Sequence, residues 1–350
     1  MRYHEDSGIN LFSSDDRLAD LRQLGDPLLA LSRHIDFEFF RTTLERGLYE
    51  SVDQSKGGRP PFDPVLMFKI LVLQRLYNLS DDAVEFQIKD RLTFMALLGL
   101  DFASRVPDAK TVWLFRDRLQ QHGLVEELFD QLNAHLEARG IIANKGQIVD
   151  ASFVDAPRQR NNRDENEAVK RGETPESWGP HKKSQKDVEA RWSVKNKETH
   201  FGYKNHVLCD RKSKLLKKYA VTDGARHDST ALDELLADGG ADGQKLYGAA
   251  AYPSEEALRK LNKRRIKCRF HEKAQRGRPL LQKQLDANRR KSRLRARVEH
   301  VFGFMTQSMC GMAVRAKSLA RNGAVIGMLN LTYNLCRVVQ LQHKIRVAGG

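Results

Sequence analysis

At Gly140 the spacing of apolar residues changes, and no single regular architecture accommodates both sides of the change. Before it, apolar residues recur with the period of a helix. Val125, Leu128, Phe129, Leu132 and Leu136 fall at i, i+3, i+4, i+7 and i+11. Ile35, Phe37, Phe40, Leu44 and Leu48 are also at helix-compatible spacing, and 64-PVLMFKILVLQRLYN-78 is apolar nearly all round, as a buried helix is. Asp63 before Pro64 reads as an N-cap with proline at the first helical position. Ser80 and Asp108 read as caps of further helices over 81–99, with a break near Arg91, and 109–123. After Gly140, the stretch 146-GQIVDASFVDAP-157 alternates and is bounded by Gly and Pro, which is the pattern of a strand.

Two more strand-like runs follow, 200-HFGYKNHVLCD-210 and 214-KLLKKYAVTD-223, joined by a turn at 211-RKS-213. Then come a short helix at 229–236, a strand at Leu246, a helix over 253–264 and a strand at 266-IKCRF-270. A long helix over about 281–305 carries Leu294, Val298, Val301 and Phe302 as its core stripe, and the last helix is near 318–343. Three hairpin-connected strands followed by alternating units describe a mixed α/β sheet with helices on both faces. The ribonuclease H-like fold has that order. The expected organisation is an arm over 1–30, an all-helical domain over 31–140 and a ribonuclease H-like domain over 141–345. Within the last, 158–187 is polar and almost free of aliphatics, so it is expected to be mobile. Trp113 and Trp192 are expected in the core rather than against bases.

With 350 residues, 40% hydrophobic and 30% charged, the chain is long enough for two domains and a sizeable core. It has no apolar run long enough for a membrane span, and MRYHEDSGIN lacks a signal core, so a cytoplasmic, nucleoid-associated location is expected. The four cysteines form no CxxC, which argues for reduced thiols and against structural zinc. The net charge of +15 excludes little by itself but favours polyanions, nucleic acid first.

Phosphodiester chemistry on such a sheet needs carboxylates that hold two Mg²⁺ ions about 4 Å apart. Asp150 sits mid-strand after Ile148 and Val149, where a charge is costly without a partner. The plain alternative is an edge-strand aspartate facing water; Asp155 lies nearer the strand end. Glu299 lies beside the apolar stripe of the long helix, with Arg295 four residues earlier on the same face. Taken alone, that pair is an ordinary surface salt bridge.

In combination, several stretches are more specific. The chain resembles a bacterial DDE transposase of the fifth insertion-sequence family. The resemblance rests on 57-GGRPPFDPVLMFKILVLQRLYNLSDDAVEFQIKDRLTFMALLGL-100, 107-PDAKTVWLFRDRL-119, 148-IVDAS-152, 190-ARW-192, 202-GYKNHV-207, 227-HDS-229 and 289-RRKSRLRARVEHVFGFM-305. It implies Asp150 and Glu299 as catalytic metal ligands for Mg²⁺. It places the second aspartate in a D-x-A-Y pattern just after the fourth strand of that fold. Here 248-GAAAY-252 puts Ala249 at that position. Around the glutamate, related transposases have Y-x2-R-x3-E-x6-K; Arg295 and Glu299 fit, while Ser292 and Thr306 stand at the tyrosine and lysine positions.

The resemblance implies an enzyme that binds terminal inverted repeats, cleaves DNA ends by metal-dependent hydrolysis and joins the 3′ hydroxyl to target DNA, working as a homodimer. Ala249 implies a chain with weakened metal binding and next to no turnover, but with intact DNA binding. An engineered replacement is the favoured origin, decay of a natural copy the alternative. The rival functions are a non-catalytic DNA-binding protein or repressor derived from a transposase and, more weakly, a structure-specific nuclease. For DNA contact the expected residues are Arg59, Arg191, Lys204, His227, Arg289, Arg290, Lys291, Arg293, Arg295 and Arg297. Several of the arginines wind round the long helix and cannot all face the core. Lys204 and His227 have bland alternatives, as a cleft lining and a capping residue.

Overall fold

The computed structural model describes residues 13–49, 60–195, 197–237, 243–252, 255–274 and 277–348. The first half is helical: α1 (Ser13–Gln23), α2 (Pro27–His34), α3 (Arg41–Tyr49), α4 (Pro64–Leu76), α5 (Asp81–Asp90), α6 (Leu92–Leu98), α7 (Ala109–Gln121) and α8 (Leu124–Ala138). The three caps read from the sequence form. The carboxylates of Asp63 and Asp108 accept from Leu66 N and Thr111 N, and the Ser80 hydroxyl accepts from Ala83 N. Arg91 leaves the helical region at φ −105°, which is the break between α5 and α6. Nearly every side chain of α4 is buried, so this helix is the axis of the block.

The stretch expected as an arm over 1–30 carries α1 and the start of α2. Asp26 caps α2, accepting from Leu28 N and Leu29 N, and Leu28 and Leu31 join the main core. Only a short apolar run was available there, too short for its period to be read.

The second half contains β1 (Gln147–Asp155), α9 (Arg163–Lys170), α10 (Pro180–Gln185), β2 (Arg191–Lys195), β3 (Glu198–Asp210) and β4 (Leu216–Asp223). It continues through α11 (Leu232–Leu235), β5 (Lys245–Gly248), α12 (Glu255–Lys263), β6 (Lys267–Phe270), α13 (Gln282–Gly303) and α14 (Leu319–Ala348). The predicted start of α12 at 253 lies outside the described residues. β3 runs antiparallel to β1 and to β4, while β1, β5 and β6 are parallel, giving the order β4–β3–β1–β5–β6. This is the ribonuclease H-like sheet. β2 is an addition that pairs with the first residues of β3, and periodicity gave no sign of it. Among the described residues no helix is long and apolar enough to cross a membrane.

One sheet face buries Val149, Leu208 and Leu246 against α11 and α12. The other carries Ile148 and Val207 into a core shared with α4, α8, α13 and α14. The helical block and the sheet are therefore packed as one body around α14. That contact is polar as well as apolar. Asn205 and Asn330 exchange side-chain hydrogen bonds at 2.7 and 3.0 Å. Asn334 pairs with the Leu216 backbone in both directions, at 2.8 and 2.9 Å.

The 158–187 stretch, expected to be mobile, carries α9 and α10. Asn162 and Glu165 form a capping box, Glu165 is ion-paired with Lys182, and Trp178 is 2% exposed. One buried indole and one ion pair, with its lysine exposed, organise a segment that composition reads as coil. Lys182 and the Asn162 N–H hold the Glu165 carboxyl down at about 2. Its stabilising effect is therefore present above its ordinary value of 4.5 and is lost as pH falls through about 2. Glu165→Gln should lower the melting temperature by a constant amount at neutral pH, and the gap should close toward pH 2; a gap that does not change with pH would contradict the pairing. Trp113 and Trp192 are not core residues: they are 39% and 42% exposed, because each projects from the outer face of its element.

Candidate active site

Three elements converge at the C-terminal end of β5. Asp150 is in the middle of β1 and only 9% exposed. β1 and β5 pair in parallel through Ile148↔Tyr247; Asp150 lies two residues further along β1, and Ala249 follows directly after β5, packed against the cluster that holds Val149 and Leu246. Close approach is possible because Gly248 has no side chain: a Cβ there would stand 2.8 Å from Val149 Cγ1 and 2.9 Å from the Phe270 ring. α13 crosses this end of the sheet and brings Arg295 and Glu299.

Arg295 links the two acids. Its Nη1 is 3.6 Å from Asp150 Oδ2, and its Nη2 donates to Glu299 Oε1 at 2.9 Å. Burial pushes the Asp150 carboxyl above the ordinary range, and Arg295 pulls it part of the way back. Glu299 is more than half exposed. The i, i+4 pair on the helix is therefore more than a surface salt bridge, because its arginine also reaches a buried carboxylate on the sheet. Asp155 is exposed and lies near His200, away from this group.

Two contacts had no visible sequence signal. His271 Nδ1 lies 3.1 Å from the Gly248 carbonyl, so that nitrogen carries the proton; its Nε2 then accepts from Ser292 Oγ at 2.9 Å. Ser292, at the family's tyrosine position, thus ties α13 to the turn that bears Ala249. Tyr252 is fully buried, with Asp150 and Asp228 as electrostatic neighbours, and its hydroxyl has no hydrogen-bond partner among the described residues. Thr306, at the lysine position, bonds back to Phe302 O and Gly303 O in a π-helical turn and does not reach outward.

This donor set does not fit a pair of divalent cations. Each Mg²⁺ relies on one or two carboxylates. Here two are present, a guanidinium bridges them, and the third position is a methyl group. Among the described residues no group of three His, Cys, Asp or Glu is placed to hold a metal. Asp228, the nearest further acid, is engaged by Lys204 at 2.9 Å.

The expected DNA-contacting residues divide. Arg290 and Arg293 are exposed on α13, and Arg289 is exposed with a loose partner in Asp286. Lys291 pairs with Glu272, and Arg297 donates to the Arg211 carbonyl at 2.7 Å, so both are tied to the chain. Lys204 spends its ammonium on Asp228 and the Arg226 carbonyl under the Phe153 ring. Arg191 turns back on the Val188 and Ala190 carbonyls. His227 caps the following turn, with Nδ1 accepting from Ser229 N. Arg59 lies outside the described residues.

The ribonuclease H-like sheet carries Asp150 on its first strand, and the helix that crosses it carries Glu299. Residues 143–335 match the family described as "Transposase DDE domain", and residues 16–118 match a "Transposase domain". The chain belongs to the DDE transposase family. Its members generally use divalent metal ions. Among solved structures, the chain is similar to a piggyBac transposase synaptic complex with hairpin DNA, at 12% identity and TM-score 0.42, covering 94% of this chain and 77% of that one. It is also similar to a pre-cleavage Mos1 transpososome, at 11% identity and TM-score 0.20, covering 95% and 98%. Both likenesses are too distant to bear on the site.

Proposed function

We propose that this chain is a transposase that holds double-stranded DNA ends without cutting them. The observation that carries the reading is an alanine, Ala249, just past the strand that pairs with the one bearing Asp150, where the family resemblance expects an aspartate, while Arg295 bridges Asp150 and Glu299. Losing one carboxylate removes a metal ligand and also a negative charge that would repel phosphate, so cleavage is lost and binding is kept. A net charge of +15 and the exposed Arg289, Arg290 and Arg293 supply the attraction to DNA. Inverted-repeat ends must be paired for transposition, so a homodimer is the expected DNA-bound state, with residues 31–140 contributing to end recognition and pairing.

The test uses an end-bearing duplex with Mg²⁺. The expected result is a retarded complex whose DNA is intact on a denaturing gel. The double variant Arg290→Gln and Arg293→Gln should make the salt dependence shallower by a slope of about 2. Cleavage by the unmodified chain, or no preference for any duplex, would overturn the reading. Ala249 also favours a second reading, a repressor descended from a transposase. Inverted repeats flanking the source gene support the first, and a fixed gene neighbourhood without them the second.

A further inference from the structure

Between the helical block and α14 lies a half-open pocket of about 220 Å³, lined by Gln74, Arg75, Asp81, Trp113, Arg116 and Arg315 among others. Three guanidiniums meet there, and one is neutralised. Arg116 grips Asp81 with two hydrogen bonds, at 2.6 and 2.9 Å. Arg315, exposed, donates to Asn78 Oδ1 and to the Asn78 carbonyl, both at 3.1 Å. Arg75 is 8% exposed, and its one hydrogen bond among the described residues is a 3.3 Å contact to the Leu79 carbonyl. No carboxylate among the described residues pairs with it. The opposing charge that acts on it, Asp81, is already held by Arg116, and a buried guanidinium that shares its counter-charge is expensive. Burial and the like charges of Arg116 and Arg315 depress its pKa to about 9, against an opposing pull from Asp81.

We propose that this pocket binds a phosphate group, with Arg75 at its floor and Arg315 at its mouth as the two guanidiniums that receive the oxyanion. The fork of an arginine matches adjacent oxygens of a tetrahedral anion. The volume is below the roughly 300 Å³ at which drug-sized pockets begin, and suits a small ion or a single group of a larger ligand. Asp82, exposed at the rim, is the opposing charge. The site is built from α4, α5, α7 and the segment before α14, so it does not rest on the catalytic reading. The phosphate has two possible sources, a backbone phosphate of bound duplex or free phosphate.

The experiment titrates the full chain with inorganic phosphate at constant ionic strength and follows thermal unfolding. Phosphate stabilises many proteins non-specifically and without saturation, so saturation is the first criterion. A saturable rise is expected, weakened about tenfold or more in apparent affinity by Arg315→Gln and strengthened by Asp82→Asn. Arg315 is a surface residue, so its variant folds even if Arg75→Met does not. Competition between phosphate and duplex, with a salt slope smaller by about 1 in Arg315→Gln, assigns the source to the DNA backbone. Saturable phosphate binding without competition assigns it to free phosphate. A linear phosphate response identical in the parent and Arg315→Gln, together with an unchanged salt slope, overturns the site.

Discussion

On the proposed function, Ala249→Asp should raise metal-dependent scission of an end-bearing duplex by about 10²-fold or more. Ala249 directly follows β5, which pairs with the strand that carries Asp150 and approaches Val149 tightly at Gly248. In the proposed site, a carboxylate there would stand near a buried acid whose pKa is already raised by burial. Two such groups repel each other, and a divalent cation relieves the repulsion. Arg295 has an alternative partner in Glu299, so it can give up its looser 3.6 Å contact to Asp150. The variant should therefore gain a saturable thermal shift with Mn²⁺ that the parent lacks, independently of any cleavage. Ala249→Asn, of similar shape but uncharged, should gain neither. If the aspartate variant binds duplex as the parent does but acquires no metal response and no scission, Ala249 is not the missing ligand.

Gly202→Ala should be among the most damaging single-methyl additions to this fold, costing about 3 kcal/mol or more. At φ +149°, an added Cβ would lie 2.3 Å from the Val154 carbonyl oxygen and 2.8 Å from Ala156 N. Both obstacles are backbone, so no rotamer change relieves them. Gly202 also pairs with Arg191 of β2 and accepts from Gly224 N at 2.9 Å, so backbones crowd it from several sides. A shift there moves Tyr203, whose hydroxyl bonds Asp187 at 2.6 Å and anchors the end of the 158–187 segment. Gly99→Ala is the control. Its φ is +72° with nothing within 4 Å of the added carbon, so only backbone strain remains, about 1 kcal/mol. Urea midpoints that are equal for the two variants would refute the close-approach argument.

The sequence revealed those features whose cause is local. A cap such as Asp63, Ser80 or Asp108 is decided within four residues, and each forms where its neighbours predict it. β1 and α13 were visible because their periods differ and because each carries an acid in an apolar setting. The 158–187 segment was not, since its order comes from Trp178 and a Glu165–Lys182 pair that join residues 17 apart. The fate of single side chains was also hidden. Nothing in the type or spacing of Lys204 shows that Asp228 already holds its ammonium, and nothing marks His271 as the link between Gly248 and Ser292. One signal was there to be used: Gln74 and Arg75 interrupt an otherwise apolar α4, and polar residues buried in such a helix need partners.

The buried asparagines of α14 bear on how the molecule can move. A helix seated by apolar contacts alone can slide by a fraction of a turn at small cost. Asn330 is matched by Asn205 on β3, and Asn334 by the Leu216 backbone of β4 and by Asn133 of α8, so any slip strands amide groups away from water. The helical block rides on the same helix and is thereby indexed to β3, the neighbour of the strand that carries Asp150. Whatever geometry a DNA end meets on one half is already fixed relative to the other, and reorganisation on binding must come from loops or from a second copy of the chain, not from hinging between the halves.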